Sequence, residues 1–108
     1  MFKADIIVQI DPDNCGMIHL YIDGDKAGDI LEQHYNRHDL ATDLLYTGHL
    51  HRLNEKHEYC ELAVAPDYQH DALYYEAKLA SELMPQDGKT SFYYIWDGER
   101  WEKIDYTL

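Results

Sequence analysis

The sequence predicts a single α+β domain spanning residues 1–108, in the approximate order ββαββαββ: a mainly antiparallel sheet with two helices packed on one face. Three observations carry that prediction. Short segments near both ends of the chain alternate apolar and polar residues, as half-buried strands do. Two longer segments show the spacing of an apolar helical arc. Turn residues separate the segments, most sharply Asp97-Gly98 between two aromatic runs. A chain of 108 residues suits one domain, because two would each be too small to bury a core without staples.

Residues 3–11 place Ala4, Ile6, Val8 and Ile10 on one strand face. Residues 11–16 are turn chemistry, and residues 17–23 read as the second strand of a hairpin. Residues 27–46 read as a helix. At about 100° per residue, Ala27, Ile30, Leu31, Tyr35, Ala41 and Leu45 fall in one arc, with Asp29, Glu32, Asn36, Asp39 and Asp43 opposite. Asp39 is a capping residue at which this helix can break, and Gly48 ends it. Residues 49–53 and 58–64 read as short strands. Pro66-Asp67 opens a second helix to about residue 84, with Ala72, Leu73, Ala77, Leu79, Ala80, Leu83 and Met84 inward. Residues 85–89 are a loop, and residues 90–96 and 100–107 form the closing hairpin.

Composition excludes several classes. Apolar residues are 45% and charged residues 28%, which is a folded globular composition. Nine Lys+Arg against 21 Asp+Glu give a net charge of −12. That opposes direct nucleic-acid binding and attraction to an anionic membrane surface. No apolar run approaches the roughly 20 residues of a membrane span, and residues 1–10 lack the pattern of a secretory signal. A cytoplasmic location is expected, with Cys15 and Cys60 as reduced thiols outside any CxxC pair.

No motif names a reaction, so residues that break the pattern carry the search for a site. His34 and His38 lie inside the first helix's apolar arc at i, i+4, and Glu76 lies inside the second's. A buried carboxylate needs a partner, so His34, His38 and Glu76 are candidate catalytic residues for acid–base chemistry. The plain alternative is a structural hydrogen bond between them. His49 and His51 share a strand face, and with His34 and His38 they are the candidate ligands for a metal. No metal and no cofactor is expected, and HExxH is absent. Residues 11–18 imitate the start of a calcium loop, but Ile22 stands where a bidentate Glu is needed, so a plain turn is expected.

Residues 61–69, Glu-Leu-Ala-Val-Ala-Pro-Asp-Tyr-Gln, followed by a helical pattern, resemble the central strand and turn of the GNAT-type N-acetyltransferases. In that family a Q/R-x-x-G-x-G/A turn cradles the acetyl-CoA pyrophosphate on a helix N-terminus. Gln69 matches the first position. Ala72 and Tyr74 replace the small residues, and Asp71 places a negative charge at the phosphate position. The resemblance implies a strand–helix remnant without acetyl-CoA binding.

Acids are unevenly neutralised: residues 4–25 and 57–77 each hold five acids and no Lys or Arg. Ten Tyr and two Trp are the other excess. Tyr93, Tyr94, Trp96 and Trp101 place aromatics on both faces of the last hairpin, which a single covered sheet face would leave half exposed. With Asp29, Glu32, Asp39 and Asp43 they form the expected binding surface. The expected function is a small acidic interaction protein, forming a homodimer and binding a basic protein surface or a cationic small molecule. Inhibitors, nucleic-acid mimics and immunity-type proteins share this composition. A small enzyme or metal-binding domain centred on His34, His38 and Glu76 is the alternative.

Overall fold

The computed structural model describes residues 3–56, 60–62, 72–83 and 91–105. Strand β1 (Ala4–Asp11) pairs antiparallel with β2 (Asn14–Leu20), with Ile6 opposite Ile18 and Ile7 opposite Met17. The turn is tighter than residues 11–16. The Asp11 carboxylate accepts the Asp13 N–H and the Asn14 amide, each at 2.9 Å, so the chain reverses within the Asp-Pro-Asp-Asn segment and Cys15 and Gly16 join the strand. A register shift between Gln9 and Asp11 absorbs Ile10 as a bulge.

The first predicted helix forms as two: α1 (Ala27–His34) and α2 (His38–Thr47). The break falls at residues 35–37, just ahead of Asp39. Arg37 is extended there, and its guanidinium grips the Asp39 carboxylate through two bonds of 3.1 and 2.8 Å. Tyr35 turns inward and its hydroxyl donates to the Asn54 carbonyl at 2.7 Å. Gly48 ends α2 at φ 75°, a left-handed-side conformation that a side chain disfavours. The helices return the chain to β3 (Leu50–Arg52), which runs parallel to β2 and pairs antiparallel with β4 (Glu61–Leu62).

The second predicted helix is the main correction. Of residues 66–84, those described form β5 (Leu73–Glu76) and a 3₁₀ turn at Ala80–Leu83. Strand β5 lies antiparallel on β2, with Tyr75 opposite Cys15 and Leu73 opposite Met17. Its residues also fit a period of two, because Leu73 and Tyr75 are half-buried while Tyr74 and Glu76 are exposed. The backbone groups along that stretch of β2 need partners, and tertiary pairing overrides the helical spacing. Ala77, at φ 55°, ends the strand. The strand–helix arrangement implied by the acetyltransferase resemblance is therefore absent from residues 72–83, while residues 63–71, including Gln69 and Asp71, lie outside the described residues.

The chain closes with β6 (Phe92–Trp96) and β7 (Trp101–Asp105) in the predicted hairpin. Its turn is set by the Asp97 carboxylate, which accepts the Glu99 and Arg100 N–H groups at 2.8 and 2.9 Å. Strand β6 runs parallel beside β1, giving the order β4-β3-β2-β1-β6-β7, with β5 on part of the β2 edge. The domain is α+β with a mainly antiparallel sheet and, among the described residues, both helices on one face.

Both sheet faces are covered within the one chain. Ala4, Ile6, Val8, Ile18 and Leu20 pack with Phe92, Tyr94 and Trp96 under Leu31, Ala41, Leu44 and Leu45 of the helices. On the opposite face Ile7, Cys15, Met17, Tyr93 and Ile95 pack under Ala80 and Leu83. The expectation of exposed hairpin aromatics is thus corrected: Tyr93, Tyr94 and Trp96 are each 1% exposed and Trp101 8%. Burial pushes the Tyr94 hydroxyl up to about 12, and burial followed by Cys60 pushes Tyr35 up as well. A raised value stabilises the fold fully below the ordinary tyrosine range near 10 and ceases to do so as pH rises toward 12. Near-ultraviolet titration should therefore show Tyr35 and Tyr94 silent until the protein unfolds in alkali; full ionisation of all ten tyrosines in folded protein would contradict this.

Candidate functional site

An open cleft of about 780 Å³ lies where the β1–β2 and β6–β7 turns meet. Gln9 fastens its base. Its amide nitrogen donates to the Asp11 and Asn14 carbonyls at 2.7 and 3.0 Å, and its oxygen accepts the Ala80 N–H at 2.7 Å. The bulge at Ile10 and the 3₁₀ turn are thereby held together. Ile10, Leu79 and Ile95 supply apolar lining, and Asp11, Asp97, Glu99 and Glu102 supply carboxylates.

His38 stands at this cleft in one defined tautomer. The Trp96 indole can only donate, so His38 Nδ1 accepts at 3.0 Å; the Ile10 carbonyl can only accept, so His38 Nε2–H donates at 2.9 Å. This exposed histidine ties α2 to β1 and β6. Two of the four carboxylates are committed to turns. The Asn14 amide, then the Asp13 N–H, hold Asp11 below the usual carboxylate value, and the Arg100 and Glu99 N–H groups do the same for Asp97. The Glu99 and Glu102 side chains make no hydrogen bond or ion pair among the described residues. They are the acids at liberty to meet a ligand.

A second cluster lies toward the other end of the sheet, on the face away from the helices. Asp5, 5% exposed, contacts half-buried His19 with its carboxylate oxygen 2.6 Å from Nδ1. His49, 8% exposed, stacks on His19 with ring centroids 4.6 Å apart, and its Nδ1 accepts the His19 backbone N–H at 2.9 Å. An Asp–His contact of this kind orients an imidazole, and it also joins β1, β2 and the start of β3.

The structure separates the residues that the sequence grouped. His34 is exposed in the last turn of α1 and His38 begins α2, so the break at residues 35–37 removes their shared i, i+4 face. Glu76 is exposed at the end of β5, opposite Asn14. A buried His34/His38/Glu76 site is therefore corrected, because the helix that placed Glu76 inward is a strand with Glu76 on its outer side. His49 is buried and His51 exposed. Among the described residues no three His, Cys, Asp or Glu side chains converge as metal ligands. Cys15 and Cys60 are free thiols, and burial, then the Glu82 charge, pushes the Cys15 thiol up and away from reactivity. Asp29 and Glu32 border a smaller recess of about 160 Å³ beside Tyr94, Trp101 and Lys103. Asp39 is paired with Arg37, which holds its carboxyl low, and Asp43 lies half-exposed on α2.

Sequence reasoning missed Gln9, Asp5, His19 and Glu102. The hairpin register carries the signal for two of them: reversal within residues 11–14 sets Asp5 opposite His19. Comparisons with models of known protein families, with curated proteins and with solved structures found no significant match for this chain.

Proposed function

We propose that this protein is a binding module that takes a basic, partly apolar segment of a partner protein in the cleft between its two sheet-end turns. One observation carries the reading: the lining includes four carboxylates and an apolar floor, with no lysine or arginine among the described residues. The volume of about 780 Å³ falls in the range of side-chain and ligand pockets. A net charge of −12 steers a cation toward it. A cationic small molecule satisfies the same chemistry on a smaller scale. Inhibitor and immunity-type proteins work through surfaces of this kind. The reading needs no second copy, because the hairpin aromatics that argued for a homodimer lie inside the chain.

The test uses a labelled peptide of alternating lysine and leucine, followed by fluorescence anisotropy at low and moderate salt. The E99Q/E102Q double variant should bind about tenfold more weakly and lose much of the salt dependence. Unchanged affinity in that variant would falsify the cleft reading. So would equal binding of a peptide in which glutamate replaces lysine.

A further inference from the structure

Strand β7 ends the sheet, and among the described residues no strand pairs with its outer edge. The Asp97 N–H bonds the Arg100 carbonyl at 3.2 Å, which sets the phase of the hairpin ladder. Antiparallel pairs alternate between bonded and non-bonded, so Glu102 and Ile104 exchange bonds with β6 while the backbone groups of Trp101 and Lys103 face outward. On the helix-covered face, the same Trp101 and Lys103 border the recess of about 160 Å³. Its acidic wall is Asp25, Asp29 and Glu32, spaced i, i+4, i+7 along one side of the chain entering and forming α1. On the opposite face Ile104 is half-buried and Glu102 borders the larger cleft.

Edge strands are commonly guarded by a lysine reaching outward. Here Lys103 leans inward, with its ammonium 4.7 Å from the centre of the Phe92 ring and 3.5 Å from the Asp25 carbonyl. The guard is folded onto the protein's own surface. A second copy of this chain is a poor occupant, because it would bring two acidic rows together at a net charge of −12 each.

We infer that an extended basic segment of a partner protein adds to β7 as a further strand, bonding the outward backbone of Trp101 and Lys103. Its lysine or arginine side chains meet Asp25, Asp29 and Glu32 on one face, and its intervening apolar side chains lie beside Ile104 on the other. This rests on the basic-partner reading above and adds to it a second contact of the same partner, along β7 and on the sheet face opposite the cleft carboxylates.

The experiment compares three capped heptapeptides of sequence Lys-Val-Lys-Val-Lys-Val-Lys with the whole protein by calorimetry. One has free amides, one carries N-methyl groups on its lysines and one on its valines. Strand addition uses the amides of one parity only, so one isomer should lose about tenfold or more in affinity while the other stays within about threefold of the parent. The D25N/D29N/E32Q variant should weaken the parent about fivefold. Two methylated isomers that bind like the parent, or that weaken equally, overturn strand addition. If affinity in that case still falls with E99Q/E102Q, the cleft reading stands and only the docking mode is lost. A parent peptide that fails to bind overturns both.

Discussion

Replacing Trp96 with alanine should cost about 3–5 kcal/mol of folding stability, a large share of the roughly 5–15 kcal/mol that holds a domain of this size. Trp96 is 1% exposed and the last residue of β6, opposite Val8 of β1 and Trp101 of β7. Its ring packs against Trp101 at a centroid distance of 5.4 Å, and its indole N–H reaches His38 at 3.0 Å. One side chain thus joins two sheet neighbours and a helix start. Removing it leaves a void lined by rings that cannot collapse without moving β7 or α2. Trp96→Phe separates the two roles. It keeps most of the apolar contact and loses the indole donor, and because His38 is exposed, water can take that donor's place. The phenylalanine variant should therefore lose only about 1–2 kcal/mol. Urea unfolding followed by circular dichroism measures both. An alanine variant within about 1 kcal/mol of the parent would place Trp96 outside the core.

The contrast between what could and could not be read from the sequence follows from where each signal lives. The β1–β2 and β6–β7 hairpins were legible because alternation and turn chemistry are local, and the Asp11 and Asp97 side chains bond their own turns. The helices were legible as one amphipathic segment, with its break placed within a few residues. Strand β5 was not. Residues 72–83 satisfy a helical arc on paper, and only the unfilled edge of β2 decides for a strand. That single reversal also dismantled the site inferred around Glu76. The hairpin aromatics show the same dependence. Alternation correctly set Tyr93 and Tyr94 on opposite faces, but that the 3₁₀ turn at Ala80–Leu83 covers the second face is a long-range fact. The cleft was illegible for a similar reason: its acids come from two hairpins at opposite ends of the chain, Asp11 from the first and Asp97, Glu99 and Glu102 from the last, brought together through Gln9 and His38.

The second large effect is expected at Asp5. Asp5→Ala should destabilise the protein by about 1–3 kcal/mol, because it strips a buried carboxylate from His19 Nδ1, 2.6 Å away. The cost should exceed that of an ordinary surface ion pair, since Asp5 is 5% exposed and sits mid-sheet between Ala4 and Ile6. His19 in turn stacks on His49, whose Nδ1 takes the His19 backbone N–H. Strand β3 meets β2 at the register pair Leu20–Leu50, and the Tyr21 and Ile22 N–H groups donate to the Leu50 and His51 carbonyls at 3.0 and 3.1 Å, so the His49 contact adds a side-chain tie to a short backbone junction. Asp5 and His49 therefore act through the same imidazole and should not behave independently. A double-mutant cycle of Asp5→Ala with His49→Ala should give a coupling of about 0.5–1 kcal/mol or more, read from chemical denaturation. Asp5→Asn is the control, because it keeps an acceptor and removes the charge, and it should cost less than Asp5→Ala. If the two alanine costs simply add, His19 does not link Asp5 to His49. If the coupling holds, the cluster is a structural joint tying β1, β2 and β3.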